Sequence, residues 1–600
     1  LFIDQIMPVL HYGISLLLLL VIVPWLFFRT PYHDGMEKIV SNVLKMSCIM
    51  MTLGYVLVIL KLFELMSVAF LLIAIGNRIH IMRQKKAGMD DSLSNFETLI
   101  YDYFDGKYKL KQVLYDYASH MLKQMKETVS ERFSSYDKLV GTCCLLGVLA
   151  FAGYLRFYDA FNHAAPSYGN RYTTLKWVKD VRDQLLFNDG ILPQGFYVFW
   201  AGIQEFSRID TLYMAEYTGP LSSILIMLGI YFFISRLTGS RFGGIVGVSL
   251  FALLGEYTDP LYWEWQAEAD PRTFAYVFLL PTLYFLILYL RGRNRDAFQT
   301  MAAGMVVIAL TDPVVFLLLL VGVCIIILTV IIMKRKKNSA SVLEVLISWV
   351  AAAAISVVPI VIGFVMGKPF HPLFAQLFQV SPADPVMLNA GPSIFTLVVC
   401  VAAGFIWHYL VQSLGGFSYK KGLESAMLAA LIATGVYFTS FQPVQPLKVD
   451  WDEAAAQYLT ISEEYSPRSW MIVGKDSWAS IVRGKGFHMN IHELVQNYDP
   501  SQASLTRNGT EYPDANIPSH VFIFHEKRLR EINDDLTAGH LAFQYSRWDQ
   551  ELRDLQDWMD RYHVMNPKAN IYYEDDRIVI YHFEQERNRK EIQKEIWGEG

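Results

Sequence analysis

The chain has 600 residues, of which 53% are hydrophobic, 14% aromatic and only 18% charged, with a formal net charge of −5 and a mean hydropathy of +0.26. Soluble domains carry about 25% charged residues, so this composition excludes an ordinary soluble domain and points to a polytopic membrane protein. The five cysteines, Cys48, Cys143, Cys144, Cys324 and Cys400, all fall in apolar segments and show neither a disulfide framework nor a zinc spacing.

A bilayer core of ~30 Å needs about 20 apolar residues in a helix. Twelve runs are predicted as spans: 5–28, 39–60, 62–79, 138–156, 219–236, 242–255, 273–290, 298–311, 313–333, 343–366, 393–413 and 424–441. The first lacks a basic leader and a small-residue cleavage site, so it reads as a span rather than a signal peptide. Several runs are short, and 298–333 reads as either one broken helix or a pair; Thr311-Asp312-Pro313 favours a turn there. Basic loops at Arg78 to Lys86, Ser235 to Arg241, Arg291 to Arg295, Lys334 to Lys337 and Lys420-Lys421 all fall on one face, which the distribution of Lys and Arg assigns to the cytoplasm.

Four regions follow. Residues 1–80 form three membrane helices, and 81–137 a polar, partly amphipathic cytoplasmic segment. Its tyrosines, Tyr101, Tyr103, Tyr108, Tyr115 and Tyr117 among them, suit packing beneath the membrane or docking a partner. Residues 138–441 form a nine-helix core with long outer and short inner loops. Residues 442–600 form an extracytoplasmic α/β domain.

In the core, Leu155 to His163 leads a hydrophobic helix out of the membrane, ended by Pro166. At about 100° per residue, Arg156, Asp159 and His163 share one helical face. A carboxylate kept at such a mouth suggests function, and the plain alternative is interfacial snorkelling. In the first outer loop, 157–218, Leu175, Val178, Val181 and Leu185 recur at helical spacing and predict an amphipathic helix on the membrane surface. Asn188-Asp189-Gly190 predicts a turn, and Pro193 the start of a second helix through Phe196, Trp200, Ile203 and Phe206.

The second outer loop, Gly255 to Arg272, holds five carboxylates, Trp263, Trp265 and Arg272. Clustered carboxylates such as Glu264, Glu268 and Asp270 suit a hard divalent cation or a hydroxyl-rich sugar. Aromatic faces suit sugar rings, and Arg272 suits a phosphate gripped through two hydrogen bonds. A solvated acidic loop with interfacial tryptophans explains the same residues. The third outer loop, 367–392, contains His371 among several prolines and reads as a lid over a ligand or as a connector.

In the C-terminal region the predicted elements are a helix from Trp451 to Glu464, strands at Ser469 to Val473 and Val521 to Phe524, a helix from Leu541 to Tyr562, and a hairpin of Asn570 to Tyr573 with Arg577 to Phe583. His488, His492, His520 and His525 show no metal-ligand pattern, and Asn508-Gly509-Thr510 matches a glycosylation sequon that short sequences often reach by chance.

A membrane helix leading into a long first outer loop with a carboxylate at its start, two surface helices in that loop and a polar second outer loop resemble the GT-C superfamily of membrane glycosyltransferases. That superfamily includes oligosaccharyltransferase catalytic subunits and protein O-mannosyltransferases. The resemblance covers roughly 138–441 and is architectural. It departs from the oligosaccharyltransferases in lacking their Trp-Trp-Asp-Tyr-Gly signature. It implies transfer of a sugar from a polyprenyl-phosphate donor to a hydroxyl on a glycan, lipid or protein acceptor, at the outer face of a multi-pass cell membrane. A bacterial plasma membrane is the expected location. The resemblance maps the catalytic general base onto Asp159, and the second-loop acids onto Glu264, Glu268 or Asp270, with Mg or Mn as the metal where one is used. Arg156, His163, Trp263, Trp265, Arg272 and His371 are the expected substrate-binding residues. On this reading Asp159→Asn abolishes transfer and leaves folding intact.

A transporter or flippase for an amphiphilic substrate is the alternative, and a non-catalytic cell-envelope assembly protein a third reading. The scarcity of charge within the spans weighs against a transporter. No phosphate-cradling glycine loop, nucleophile elbow or nucleic-acid module is present, which weighs against an ATP-driven pump and a nucleic-acid partner.

Overall fold

A computed structural model describes residues 6–28, 34–86, 136–253, 268–333, 339–372, 394–413, 447–531 and 535–585, apart from 169, 293, 503, 509–513, 515 and 567–569, together with residue 32 and a few between 422 and 437. The N-terminal helices are α1 (Ile6–Leu17), which runs through a π-turn into α2 (Val23–Phe27), then α3 (Gly35–Ile59) and α4 (Leu65–Lys86). The core helices are α5 (Tyr136–Asn162), α6 (Asn170–Arg182), α7 (Gly195–Ser207), α8 (Thr211–Thr238), α9 (Arg241–Leu253), α10 (Pro271–Gly292), α11 (Arg295–Thr311), α12 (Pro313–Met333), α13 (Ser339–Val365) and α14 (Ile394–Ser413).

Eight helices among the described residues are long and apolar enough to cross a membrane: Ile6–Trp25, Gly35–Ile59, Leu139–Asn162, Thr211–Thr238, Pro271–Gly292, Pro313–Ile332, Ser341–Val365 and Phe395–Ser413. Each coincides with an expected span. The runs expected at 62–79, 242–255 and 298–311 are helices too, but shorter ones: the apolar part of α4 is Leu65–Ile79, and α9 and α11 have 13 and 17 residues. The expected span at 424–441 lies largely outside the described residues, as do most of 81–137 and of 367–392. On α12, Leu317, Val321, Ile325, Leu328 and Ile332 are exposed at three- and four-residue intervals, an aliphatic stripe that needs a hydrocarbon environment.

Local chemistry sets the helix ends. Asp34 caps α3 by accepting from Met36 N (2.9 Å) and Glu37 N (3.1 Å), and Asp210 caps α8 by accepting from Leu212 N (2.8 Å). Helix α8 stops at Gly239, whose φ of +74° is the left-handed conformation a C-terminal glycine supplies. The Thr311-Asp312-Pro313 turn forms as expected: Asp312 is extended and Pro313 opens α12, so 298–333 is two helices. Towards the opposite, N-terminal end of α11, Ser41 bonds Thr300 (2.8 Å) and Lys45 pairs with Asp296 (2.7 Å), joining α3 to α11.

Helix α7 differs from the expected surface helix. It is buried almost all round, with Phe196, Phe199 and Trp200 packed around Phe274 of α10 at ring separations of 5.2–5.5 Å and Trp200 stacked on Tyr12 of α1 at 5.8 Å. Its apolar content on all sides fits a core position better than an interface. Gly195 opens it: a Cβ there would stand 2.5 Å from Leu310 O, so only glycine lets α7 abut α11 so closely.

The C-terminal region folds as α15 (Asp452–Glu464), β1 (Trp470–Gly474), α16 (Trp478–Val482), β2 (Phe487–Asn490), α17 (Ile491–Asn497), β3 (His520–Glu526), α18 (Asp535–Met565), β4 (Asn570–Glu574) and β5 (Ile578–Glu584). The five-stranded sheet has the order β2-β1-β3-β5-β4, with β1 parallel to β2 and β3, and β5 antiparallel to β3 and β4. The predicted hairpin is β4–β5. Strand β2 had no sequence signal, because Phe-His-Met-Asn buries only Met489. One sheet face, with Trp470, Ile472 and Phe522, packs on α15 and on residues of the first long loop, including Ala165, Tyr172 and Leu175. The other face packs on α17 and α18.

Candidate functional site

Asp159 stands near the C-terminal end of α5, one turn before the helix ends at Asn162. It is not open to solvent. The residue is 1% exposed, and its two oxygens are both engaged: Oδ2 by Arg171 (3.1 Å) and Oδ1 by Lys448 (2.9 Å). Arg171, at the start of α6, also pairs with Glu216 of α8, and Lys448 donates to the Ala165 carbonyl (2.9 Å). Glu268, which precedes α10, is close enough to add to the field on Arg171. Burial alone would depress that guanidinium's pKa, but Glu216 and Asp159, with Glu268, raise it.

The cluster therefore joins two membrane helices, the first-loop helix α6 and the chain entering the C-terminal sheet. Asp159 and Glu216 pair directly with Arg171 and Lys448, and Glu268 adds negative field beside them; this pairing is what makes so dry a site tolerable. This burial argues against the expectation that Asp159→Asn leaves folding intact, since the substitution strips a counter-ion from buried cations.

The other expected residues separate into neighbourhoods. Arg156 is fully buried and donates to the carbonyls of Ala152 (3.2 Å) and Ala252 (3.3 Å), at the end of α9. His163 turns to the C-terminal region, where Nδ1 meets Asp452 Oδ2 at 2.9 Å. Arg272 pairs with Asp312 (3.4 Å) where α10 begins and α11 gives way to α12. Asp270 caps α10, its Oδ2 accepting from Thr273 N (3.0 Å), and burial raises its pKa. Thr174 of α6 donates to Ala269 O (2.7 Å), so the chain running from Glu268 to Arg272 spans the gap between the Asp159 cluster and Arg272.

His371 packs edge-on against Trp177 (5.4 Å), which in turn meets Tyr197 (4.8 Å). Burial lowers the His371 pKa. Trp263, Glu264 and Trp265 lie outside the described residues. Glu268 and Asp270 do not join a metal-ligand group among the described residues, where the group found is His520, His582 and Glu584.

Sequence reasoning missed Arg171, Glu216 and Lys448. Glu216 carried a signal: a lone acid just before an apolar run that needs a cation. Lys448 carried none, because its partner lies 289 positions away in the chain.

The first long loop and the C-terminal region are held together by further polar contacts. Tyr172 donates to Asp450, and Lys475 pairs with Asp450 (3.0 Å) and Glu526 (2.7 Å). One lysine faces two buried carboxylates here, so burial pushes Glu526 up to about 7 while Asp450 holds the lysine charged. Lys485 pairs with Asp210 (2.6 Å), and Arg483 with Asp180. Burial pushes Asp180 up to about 6 and Lys179 down to about 8.

Asp452 anchors the junction, accepting from Ala164 N (3.1 Å) and Ala165 N (3.0 Å) as well as His163. Burial alone would raise its pKa, but His163, Lys448 and the Ala165 amide hold it well below the carboxylate range. A depressed folded-state pKa contributes stability that is full above about pH 5 and is lost as pH falls through the unfolded value of about 3.9 and below. Wild type should therefore lose stability below pH 5 more steeply than Asp452→Asn, measured by thermal unfolding at a series of pH values. Identical acid limbs would contradict this.

No protein-family model matches the sequence, and no curated protein matches it.

Proposed function

We propose that this chain is a membrane glycosyltransferase that moves a sugar from a polyprenyl-phosphate donor to an acceptor hydroxyl at the outer membrane face, with inversion. The observation that carries the reading is the gathering of Asp159, Glu216 and Glu268 around Arg171, at one end of spans α5, α8 and α10. A donor anchored in lipid presents its phosphate and anomeric carbon at such a membrane edge. Acids and cations from several loops meet it there.

In this reaction the acceptor oxygen bonds to the anomeric carbon, the C–O bond to phosphate breaks, and the phosphate leaves with the electron pair. The leaving phosphate needs positive charge, and Arg272 beside the start of α10 supplies it. The acceptor proton needs a base. Both Asp159 oxygens are held by cations in the resting site. The anionic donor competes for Arg171 or Lys448 and so frees one Asp159 oxygen to take the proton, a contribution of about 10²–10⁴-fold.

A second reading is favoured by a specific observation: with both oxygens engaged at 1% exposure, Asp159 already has a complete structural role. On that reading the chain is a non-catalytic envelope protein whose charge cluster clasps the C-terminal region to the helices. The test is incubation of the purified full chain with polyprenyl-phosphate-linked sugars and short glycan or alcohol acceptors. Release of free polyprenyl phosphate with a product of inverted anomeric configuration is expected. Retention of configuration, or no donor consumed with any sugar, would overturn the proposal.

A further inference from the structure

Strands β3 and β5 are neighbours in the middle of the sheet, with His520 opposite Glu584 and Phe522 opposite His582. Register partners share a face, and so do residues two apart along a strand. His520, His582 and Glu584 therefore stand together on one face, where β3 begins and β5 ends.

His520 Nδ1 lies 3.2 Å from His582 Nε2, and one ligand atom from each of the three residues lies within 4.8 Å of the others. Both rings are braced. His582 stacks on Phe522 at 4.6 Å with 8° between planes, and Tyr465 packs on His520 at 4.7 Å. A tetrahedral ion with Zn–N bonds of about 2.0–2.1 Å holds two nitrogens about 3.3–3.4 Å apart, so the histidine pair already has nearly the spacing that zinc requires. The histidines are half-buried and Glu584 is exposed, so an ion can enter from solvent.

We propose that His520 Nδ1, His582 Nε2 and a Glu584 carboxylate oxygen bind one divalent ion of the zinc class. Two imidazoles and one carboxylate select a borderline cation over magnesium or calcium, which take oxygen ligands. Three protein ligands leave a fourth position for water. Binding replaces the His520–His582 hydrogen bond, and the ring that donated it carries its proton on the other nitrogen, so no net proton is lost from a neutral pair. The site is independent of the reading given for Asp159.

The test titrates zinc into the untagged, metal-stripped full chain by calorimetry, with cobalt as a spectroscopic probe and magnesium as a competitor. One equivalent of zinc is expected, undisturbed by excess magnesium. His520→Ala and His582→Ala should each weaken zinc binding on the order of 100-fold or more, and Glu584→Gln about 10-fold or more. Glu584 is exposed, so its variant keeps the test decisive if a histidine variant fails to fold. Absence of stoichiometric zinc binding by the wild type, or wild-type affinity in Glu584→Gln together with either histidine variant, would overturn the proposal.

Discussion

Replacing Asp159 with asparagine lowers the stability of the purified chain by about 3–5 kcal/mol, the usual cost of removing one partner from a buried ion pair. The geometry gives the reason. Asp159 and Glu216 carry two negative charges, Arg171 and Lys448 two positive ones, and all four side chains are buried. Asparagine keeps the shape but takes the carboxylate partner from Lys448 in a dry site. The stranded cation can be removed. Asp159→Asn combined with Lys448→Met takes out both charges of that pair and should recover much of the loss, a non-additivity that a double-mutant cycle reads directly. Thermal and denaturant unfolding of the wild type, both single variants and the double variant check this. Additive losses would show that the four charges do not act as one cluster.

The second large effect concerns Arg272. If its guanidinium meets the donor phosphate, Arg272→Ala lowers kcat/KM for the lipid-linked donor by roughly 10²–10³-fold, the scale of losing one donor aimed at developing charge. Arg272→Lys should recover only part of it, because an ammonium lacks the planar two-point grip of guanidinium. The pair with Asp312 is long at 3.4 Å, and Asp312 keeps its hydrogen bond from Val315 N (2.8 Å) when the arginine is removed, so the stability change should be smaller than that of Asp159→Asn. Steady-state kinetics with both variants checks this, and unchanged donor kinetics in Arg272→Ala would remove the arginine from the site.

Much of the fold was legible because hydrocarbon solvent writes long apolar runs, and among the described residues eight of these are helices long enough to cross. The turn at Thr311-Asp312-Pro313 and the β4–β5 hairpin followed from local chemistry alone. Helix α7 was legible as a helix but not as a buried one, since burial depends on Tyr12, Phe274 and Leu310 from distant segments. The site was legible in part. Asp159 stood out as an acid at a helix mouth, yet its partner Lys448, and the pairing of His163 with Asp452, are set by contacts across hundreds of residues, and even Arg171, 12 positions away, reaches it only through the fold of the first long loop. Periodicity carries no information about those. The same holds for His520 and His582, which lie far apart in sequence and meet only because β3 and β5 pair in that register.

The charge-balanced variant Asp159→Asn/Lys448→Met separates the two roles open to Asp159. Polyprenyl-phosphate-sugar transfer should be measured in that variant once its unfolding temperature has returned towards that of the wild type. If Asp159 accepts the acceptor's proton, the restored protein stays inactive. Transfer that returns together with stability would show that no carboxylate is needed at position 159 and would contradict the account.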